Sequence, residues 1–382
     1  MIRSLGFVIG WLFLSIGAFA NGDIIKVRLL TALKVTSVDF VPQSYGYRVI
    51  GDDYQIVKLP QNNTLNISVQ DSLIRLKLNG KDVGTYSRIK LSNPGFGNSF
   101  ALNCISPKYK EMVYWDDLEV YVSDGELVLV NWMDIDFYVA GVVEAEGGFN
   151  ANIEFYKAQA VICRTYAASQ LWRHEGEGYN LCDQTHCQVY HGKCRNANIL
   201  LAALSTSGIT IIDDTEEYIA ATFHSNCGGQ TMNSEDVWLK EISYLRSVKD
   251  TFCLNQFRAK WDESYPLVKW QEYLRNNFKC EVNNESGDGY NFYQTNRKTD
   301  YTAGKCSIQL KQIRADWGLR STFFTLVQKG DKVFLYGRGS GHGVGLCQAG
   351  AKRMAELGYS YRQIIHFYYK GVQFCNNGIL EP

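Results

Sequence analysis

Residues 137–172 contain the stretch that decides the fold, FYVAGVVEAEGGFNANIEFYKAQAVICRTYAASQLW. From about residue 152 to residue 172, side chains that favour burial recur at steps of three and four. They are Ile153, Tyr156, Ala160, Cys163, Ala167 and Leu171. This spacing predicts one long helix with a single buried stripe. Asn150 or Asn152 precedes it and is suited to cap its first turn.

The chain before this helix has the pattern of short antiparallel strands. Between residues 24 and 122, apolar and polar side chains alternate with a period of two. Asn-Gly and Asp-Gly steps at 79–80 and 124–125 are typical of tight hairpin turns. We therefore predict an α+β protein, with a β-rich N-terminal module over residues 21–125 and a mixed core over residues 126–382. A polar stretch near 283–303 is predicted to be an exposed excursion from that core.

Composition excludes several classes of protein. The 382 residues are 46% hydrophobic and 20% charged, which is typical of a folded chain rather than a disordered one. Lys and Arg together number 39, as do Asp and Glu, so the chain has no basic surplus with which to neutralise nucleic-acid phosphates. We expect no nucleic-acid partner. Tyr166, Tyr190 and Trp238 are expected in the core rather than on a sugar-binding surface.

The first twenty residues indicate export. Arg3 is followed by an apolar run over residues 5–16, and the stretch ends in small residues at Ala18 and Ala20. This arrangement predicts a signal peptide over residues 1–20 that is cleaved after Ala20, and a mature protein that is periplasmic, extracellular or in the cell envelope. Residues 4–22 carry no charge, so the alternative is an uncleaved membrane anchor, the one case in which we expect membrane contact.

Five motifs carry most of the functional information. They are GVVEAE at 141–146, KAQAVICRTYA at 157–167, CDQTHCQVY at 182–190, FHSNCGGQT at 223–231 and GRGSGHGVGLCQAG at 337–350. In this order and at these distances they resemble the SpoIID/LytB family of peptidoglycan-associated proteins. The last motif does not have the Lys-Ser/Thr ending of a nucleotide-binding P-loop and has no βαβ context, so we exclude that interpretation.

The resemblance implies a lytic transglycosylase that acts on glycan strands from which the stem peptides have been removed. Such an enzyme cuts the β-1,4 bond between N-acetylmuramic acid and N-acetylglucosamine and leaves a 1,6-anhydro end. The alternative comes from the LytB branch, whose members are associated with enhancing a cell-wall amidase without cutting glycan. The expected partners are peptidoglycan glycan strands and, under the alternative, an amidase. A zinc-dependent amidase is disfavoured because no catalytic three-ligand set is visible.

The family pattern places its catalytic acid at Glu146, just before the long helix. The family usually follows this residue with a bulky residue and proline, whereas this chain has Gly147 and Gly148. One carboxyl group is sufficient for this chemistry, since the sugar's own 6-hydroxyl acts as the nucleophile. Apolar neighbours would raise the pKa of Glu146 by desolvation. The alternative is that Glu144 or Glu146 only stabilises the positive end of the helix.

The eleven cysteines are an odd number, so at least one of them has no intramolecular disulfide partner. Cys182 and His186 are spaced to share a metal ion, with Cys187, His191 and Cys194 as further candidate ligands. Some family members that share this pattern hold zinc here, so the resemblance implies a structural zinc ion. The alternative is a disulfide from Cys182 to Cys187 or Cys194. A disulfide between two of Cys253, Cys280 and Cys306 is a further expectation. A catalytic role for Cys163 is disfavoured because this residue lies on the buried stripe.

Five further residues are candidates for binding the glycan. His224 and Ser225 precede a Cys-Gly-Gly turn, and His342 lies within a glycine-rich loop, where the backbone leaves space for a ligand. Arg164 and Gln188 belong to two of the shared motifs and are predicted to contact substrate or to support residues that do. For Arg164 the alternative is a structural ion pair.

Overall fold

The computed structural model describes residues 24–380 except 94, 96, 239 and 283–288. The expected signal peptide at residues 1–20 lies outside the described residues. Within the described residues, no helix combines the length and the apolar character needed to span a membrane.

The described residues of the N-terminal part form twelve strands. They are β1 (Ile24–Leu29), β2 (Ser37–Pro42), β3 (Tyr47–Gly51), β4 (Tyr54–Leu59), β5 (Leu65–Gln70), β6 (Leu73–Leu78), β7 (Lys81–Tyr86), β8 (Arg88–Ser92), β9 (Ser99–Ser106), β10 (Met112–Trp115), β11 (Asp117–Ser123) and β12 (Glu126–Asp134). Short alternating segments form these strands because every second side chain faces the core: Ile74 and Leu76 of β6, for example, are fully buried. The predicted β-rich beginning of an α+β chain is confirmed.

The remaining chain mixes helices with short strands. The helices are α1 (Ile135–Gly147), α2 (Ile153–Ser169), α3 (Ala197–Ser205), α4 (Glu235–Trp238), α5 (Leu267–Phe278), α6 (Leu310–Trp317), α7 (Gln348–Glu356) and α8 (Tyr361–Tyr368), with one 3-10 turn at Glu175–Glu177. The strands are β13 (Leu181–Cys182), β14 (Ile209–Ile212), β15 (Phe223–His224), β16 (Lys260–Pro266), β17 (Asp300–Ala303), β18 (Cys306–Gln309), β19 (Phe324–Lys329), β20 (Lys332–Arg338), β21 (Leu346–Cys347), β22 (Gln373–Asn376) and β23 (Ile379–Leu380).

Two sheets form the N-terminal part. One has the order β13-β1-β12-β11-β8-β3-β4, and the other has the order β10-β9-β2-β5-β6-β7. Strands β5 and β6 of the second sheet contact β8, β11 and β12 of the first, so the apolar faces of the two sheets close on one core. The first sheet also includes β13 from the region of the third motif, which pairs in parallel with β1. The β-rich part is therefore continuous with the motif-bearing region.

The central helix α2 is buried on nearly all sides. It runs over Ile153–Ser169 and packs against α1, α3, α7, α8 and β14. Asn152 caps it, as predicted, by accepting a hydrogen bond from the Glu154 N–H group. The prediction of a single buried stripe is wrong: Thr165, which is not part of that stripe, is fully buried, and Leu171 lies beyond the helix and is 36% exposed. The helix is a core element with neighbours all round.

A second hydrophobic cluster lies between residues 261 and 335. It is separate from the main core and is formed by β16, β19 and β20 together with α5, α6 and the β17-β18 hairpin. Within it, Cys280 and Cys306 are joined by a disulfide. Three aromatic side chains from the predicted polar excursion, Tyr290, Phe292 and Tyr301, are buried here. Their burial means that residues 289–303 belong to a packed unit with its own small core.

Candidate functional site

Glu146 lies in the last turn of α1, at the end of a run of buried apolar residues. This helix follows β12 directly, and Asp134 caps it by accepting a hydrogen bond from the Asp136 N–H group. The Glu146 side chain is half-buried, and its Oε1 accepts a hydrogen bond from the Val189 N–H group at 3.2 Å. The carboxyl group therefore faces the segment of the third motif.

The surroundings of Glu146 favour its neutral form. Desolvation raises the pKa of Glu146, while the hydrogen bond from Val189 and the charge of His191 lower it by less. Its position adds to the same effect, because the carboxyl-terminal end of a helix disfavours negative charge. The expectation that burial would raise this pKa is confirmed in direction. A carboxyl group of this kind is suited to donating a proton.

The alternative for the two glutamates, stabilisation of the positive end of the long helix α2, is wrong. Both residues lie near the negative end of α1, not at the start of α2. Glu144 has a different structural role, since its Oε1 accepts hydrogen bonds from the N–H groups of Arg195 and Asn196 at 2.9 and 2.8 Å. Glu144 thus holds the backbone that leads into α3. For Glu146, one oxygen accepts only the hydrogen bond from the Val189 N–H group, and the other has no hydrogen-bond partner among the described residues.

Two distant motifs meet near Glu146, and one of them contacts its backbone. The Gln348 side chain donates a hydrogen bond through Nε2 to the Glu146 carbonyl oxygen at 3.1 Å. The next residue, Ala349, donates its N–H group to the Ser225 carbonyl oxygen at 3.0 Å. Strands β15 and β21, which precede these contacts, pair in parallel. The structure therefore brings Glu146, Ser225 and Gln348 into one region, and Gln348 is a site residue that the sequence interpretation missed.

Gln188 is buried directly behind the acid. Its Oε1 accepts a hydrogen bond from the Tyr138 hydroxyl at 3.2 Å, and its Nε2 donates to the Cys163 carbonyl oxygen at 3.4 Å. Because both ends of the amide are engaged by protein groups, Gln188 fixes the backbone of Val189, which hydrogen-bonds Glu146. This geometry favours the supporting role over direct contact with substrate.

Arg164 is also enclosed, with a side chain that is only 2% exposed. Its Nε and Nη2 donate hydrogen bonds to Asp136 Oδ1 at 2.9 and 2.6 Å, and Nη2 also donates to the Ala203 carbonyl oxygen at 2.9 Å. These contacts are those of the structural ion pair that was the alternative for this residue. A glycan contact with the guanidinium is contradicted by its burial, because no free face remains for a ligand.

His224 and His342 lie next to each other, with ring centroids 5.4 Å apart. His342 donates from Nε2 to the Phe223 carbonyl oxygen at 2.9 Å and accepts at Nδ1 from the Val344 N–H group at 3.1 Å, so the ring is a neutral imidazole. Desolvation lowers the pKa of His342 to about 4, and it lowers the pKa of His224 well below its usual value. Both rings are therefore uncharged at neutral pH.

An exposed aromatic ring lies beside this histidine pair. The ring centroid of Trp238 is 5.3 Å from that of His342, and the Trp238 side chain is 43% exposed. The expectation that Trp238 lies in the core is wrong, because the short helix α4 presents it at the surface. Tyr190, by contrast, is buried as expected. An indole face next to neutral hydrogen-bonding rings offers an apolar surface to a ligand.

Four possible metal ligands meet near the third motif. His174, Cys182, His186 and Cys187, which we call the His174 cluster, have ligand atoms that all lie within 4.8 Å of one another. The Cys182 Sγ to His186 Nδ1 distance is 3.8 Å, and Cys187 Sγ lies 3.5 Å from His174 Nε2. Ligand atoms on a tetrahedral zinc ion are separated by about 3.6 Å for a sulfur–nitrogen pair. The donor set and its spacing therefore fit zinc.

The surroundings of the His174 cluster also suit a metal. His174 Nδ1 lies 2.6 Å from Glu177 Oε1, which leaves Nε2 to face the cluster, as is usual for metal-binding histidines. Of the other candidates, Cys194 contacts the Glu144 carboxylate, and neither it nor His191 belongs to the cluster. Cys182 and Cys187 are free thiols in the structure. The ligand that sequence spacing missed is His174.

Comparison with known proteins identifies the relatives of this chain. A family model described as SpoIID, stage II sporulation protein, matches residues 123–221. The stage II sporulation protein D of Bacillus subtilis is 30% identical over 258 residues, which are 63% of this chain and 74% of that protein. An uncharacterized protein of Brachyspira hyodysenteriae is 29% identical over 381 residues, or 95% of each chain.

A further relative carries a different name. An amidase enhancer of Bacillus subtilis is 26% identical over 365 residues, which are 82% of this chain and 50% of that protein. The matched family region contains α1, α2, α3 and the His174 cluster, and thus defines a protein with a SpoIID-type core. The chain belongs to the SpoIID/LytB family.

Proposed function

We propose that this protein is a lytic transglycosylase that cleaves peptide-free glycan strands of peptidoglycan. Membership of the SpoIID/LytB family supports a role connected with the cell wall. The observation that carries the finer proposal is the state of Glu146, a half-buried carboxyl group with a raised pKa and one oxygen that has no hydrogen-bond partner among the described residues. Such a group remains protonated at a pH where ordinary glutamates are ionised, and can act as a general acid.

The reaction needs one carboxyl group, which first acts as a general acid and then as a general base. Glu146 donates its proton to the oxygen of the β-1,4 bond, the bond from C1 to that oxygen breaks, and the N-acetylglucosamine hydroxyl leaves. The 6-hydroxyl oxygen of the N-acetylmuramic acid residue then bonds to C1, and its proton returns to the Glu146 carboxylate. No water is consumed, so the second carboxylate of ordinary glycosidases has no task here.

The surface between Trp238 and Glu146 is the proposed glycan site. Trp238 offers an exposed ring, and His342, His224 and Ser225 lie along the strand pair that leads to Gln348 and Glu146. The backbone engages both nitrogens of His342, and His224 is only 4% exposed, so these neutral rings would support the site from beneath. Trp238 and Ser225 are the groups that would contact the glycan. Gln188 and Arg164 support this site from the core.

The His174 cluster would hold a structural zinc ion. Four protein ligands close the coordination sphere, which is typical of structural rather than catalytic zinc. Cys182 lies on β13, which pairs with β1 of the N-terminal sheet, and Cys187 begins the segment whose Val189 contacts Glu146. A zinc ion would therefore fix the path of that segment relative to the sheet. Action on peptidoglycan also requires export, which the signal peptide expected at residues 1–20 would supply.

The experiment is digestion of purified peptide-free glycan strands, followed by mass analysis of the products. We expect 1,6-anhydro ends from the wild type and none from Glu146→Gln, with unchanged circular dichroism. Glu144→Gln is the matched control, because its amide oxygen retains the acceptor for Arg195 and Asn196 and it should keep full activity. Anhydro products from Glu146→Gln at the wild-type rate would dismiss the assignment.

The amidase enhancer among the relatives favours a second candidate, a non-catalytic protein that binds peptidoglycan and stimulates an amidase. The same digestion separates the two. Strands that are bound but left intact by the wild type, with increased product release when an amidase of the same cell wall is added, support the enhancer. Anhydro ends formed by the purified chain alone support the enzyme.

A further inference from the structure

A second group of possible metal ligands lies deep in the core, in a part of the chain that the proposed function does not use. Cys227, Asp250, Cys253 and Cys347, which we call the Cys227 cluster, come from three separate parts of the chain. All four are fully buried, and their ligand atoms lie within 4.8 Å of one another. Three thiols and a carboxyl group in a water-free site are costly unless their charges and hydrogen bonds are compensated.

The distances in the Cys227 cluster are those of a coordination sphere. Cys227 Sγ lies 3.3 Å from Cys253 Sγ and 3.2 Å from Asp250 Oδ2. Around a tetrahedral zinc ion, two sulfurs are about 3.8 Å apart and a sulfur and an oxygen about 3.6 Å apart. A disulfide needs about 2.05 Å between its sulfurs. The cluster is therefore closer to a metal site than to a disulfide.

Backbone N–H groups point at the sulfurs, as they do around metal-bound thiolates. Cys347 Sγ accepts from the N–H groups of Cys227 and Gly350 at 3.2 and 3.4 Å, and Cys253 Sγ accepts from Gly229 at 3.3 Å. Cys347 is also the N-cap of α7, where the helix dipole favours negative charge. These donors stabilise thiolates rather than neutral thiols.

The remaining partners orient the carboxylate and balance its charge. Asp250 Oδ1 accepts from the N–H groups of Phe252 and Cys253, and Tyr368 donates its hydroxyl to Oδ2 at 2.9 Å. Arg297 donates through Nη2 to the Cys227 carbonyl oxygen at 2.7 Å, and its side chain makes no ion pair within the described part of the chain. A zinc ion with three thiolates and one carboxylate has a net charge of −2, which this guanidinium would partly offset.

We propose that the Cys227 cluster binds a second, structural zinc ion through three sulfurs and one carboxylate oxygen. The ion would join the loop after β15, the turn at residues 250–253 and the start of α7. Gln348 follows Cys347 directly and contacts the Glu146 backbone, so this zinc ion would also position the amide behind the proposed acid. The proposal does not depend on catalysis and holds equally for an amidase enhancer.

The test is zinc analysis of the full chain, purified without a His tag, in wild type and three serine variants. Cys347→Ser should lower the zinc content by one ion per chain. Cys182→Ser, in the His174 cluster, should leave the ion of the Cys227 cluster in place, and Cys104→Ser, a buried cysteine in neither cluster, should match the wild type. The decisive quantity is the difference in zinc ions per chain between the wild type and Cys347→Ser. This difference does not depend on whether the His174 cluster binds zinc.

Two further measurements keep the result decisive. If Cys347→Ser fails to fold, Asp250→Asn preserves the shape of the side chain and should release one zinc ion to a chelator at least tenfold faster than the wild type. Thiol titration of unreduced protein in denaturant and chelator should give nine free thiols per chain. Two fewer thiols with a disulfide mapped between Cys227 and Cys253, or folded Cys182→Ser protein without zinc, would overturn the proposal.

Discussion

Arg164→Met tests whether this buried arginine is structural. The Arg164 guanidinium is shared between Asp136 and the carbonyl oxygen of Ala203, and the side chains of the ion pair are only 2% and 8% exposed. Methionine fills a similar volume but provides neither charge nor donors. The substitution leaves the Asp136 carboxylate, in the first turn of α1, without its cation in a site that is largely closed to water.

The expected loss of stability is large. Breaking a buried ion pair by removing one partner costs about 3–5 kcal/mol in free energy of unfolding. The exposed pair of Arg353 and Glu356 provides the scale for comparison, since its side chains are 43% and 51% exposed. Surface pairs of that kind contribute about 0–1 kcal/mol. Arg164→Met should therefore destabilise the main core by about 2 kcal/mol or more beyond Arg353→Met.

Guanidinium unfolding followed by far-ultraviolet circular dichroism measures this difference. In a double-mutant cycle, adding Asp136→Asn to Arg164→Met should recover part of the loss, because the uncompensated charge is then removed. An Arg164→Met protein within about 1 kcal/mol of the wild type would refute the structural role. If that stable variant had also lost affinity for peptide-free glycan strands, direct contact with substrate would be the better account of Arg164.

Three smaller perturbations test the surroundings of the two sites. Activity on glycan strands should fall as pH rises through the raised pKa of Glu146, so the basic limb of the pH profile should lie above the ordinary value of 4.5; a limb at or below that value contradicts the assignment. Gly141→Ala should destabilise by about 1–3 kcal/mol in thermal unfolding, although alanine favours helices, because its Cβ would lie 2.5 Å from the Gly192 carbonyl oxygen; a stabilised variant contradicts the packing. Glu177→Gln should weaken zinc binding by the His174 cluster about 10–100-fold in chelator competition, and unchanged affinity would remove Glu177 from the site.

The predictable part of the fold was local. Period-two alternation located strands such as β6, and Asn152 marked the start of α2, because both signals depend on residues a few positions apart. Burial of α2 on nearly all sides was missed, since polar residues such as Thr165 are enclosed through their own hydrogen bonds. The second hydrophobic cluster was also hidden, because its aromatic residues are scattered among polar ones and meet only after β16 and β20 pair.

In the candidate site too, the features set by residues close in sequence were predictable, and those set by tertiary contacts were not. Cys182 and His186 are four residues apart, so spacing alone indicated a shared metal ion. His174 joins them only through the turn at Glu175–Glu177, and Gln348 reaches Glu146 from 202 positions away. The resemblance supplied Glu146, but the helix end on which it lies depends on where β12 passes into α1. Tertiary contacts of this range leave no periodic trace in a sequence.

The strand pair that closes the second hydrophobic cluster has a consequence for how the chain can vary. Lys260 pairs with Arg338, and the next residues outward, Ala259 and Gly339, are joined by a backbone hydrogen bond of 2.9 Å. Residues 260–338 thus leave the main core and return to it at adjacent positions, so they form a segment that is inserted at one place in the chain. Insertions, deletions or replacements within this segment would leave the path of the rest of the chain unchanged. The Arg297 guanidinium, which lies in the segment, also donates a hydrogen bond to the Cys227 carbonyl oxygen of the main core.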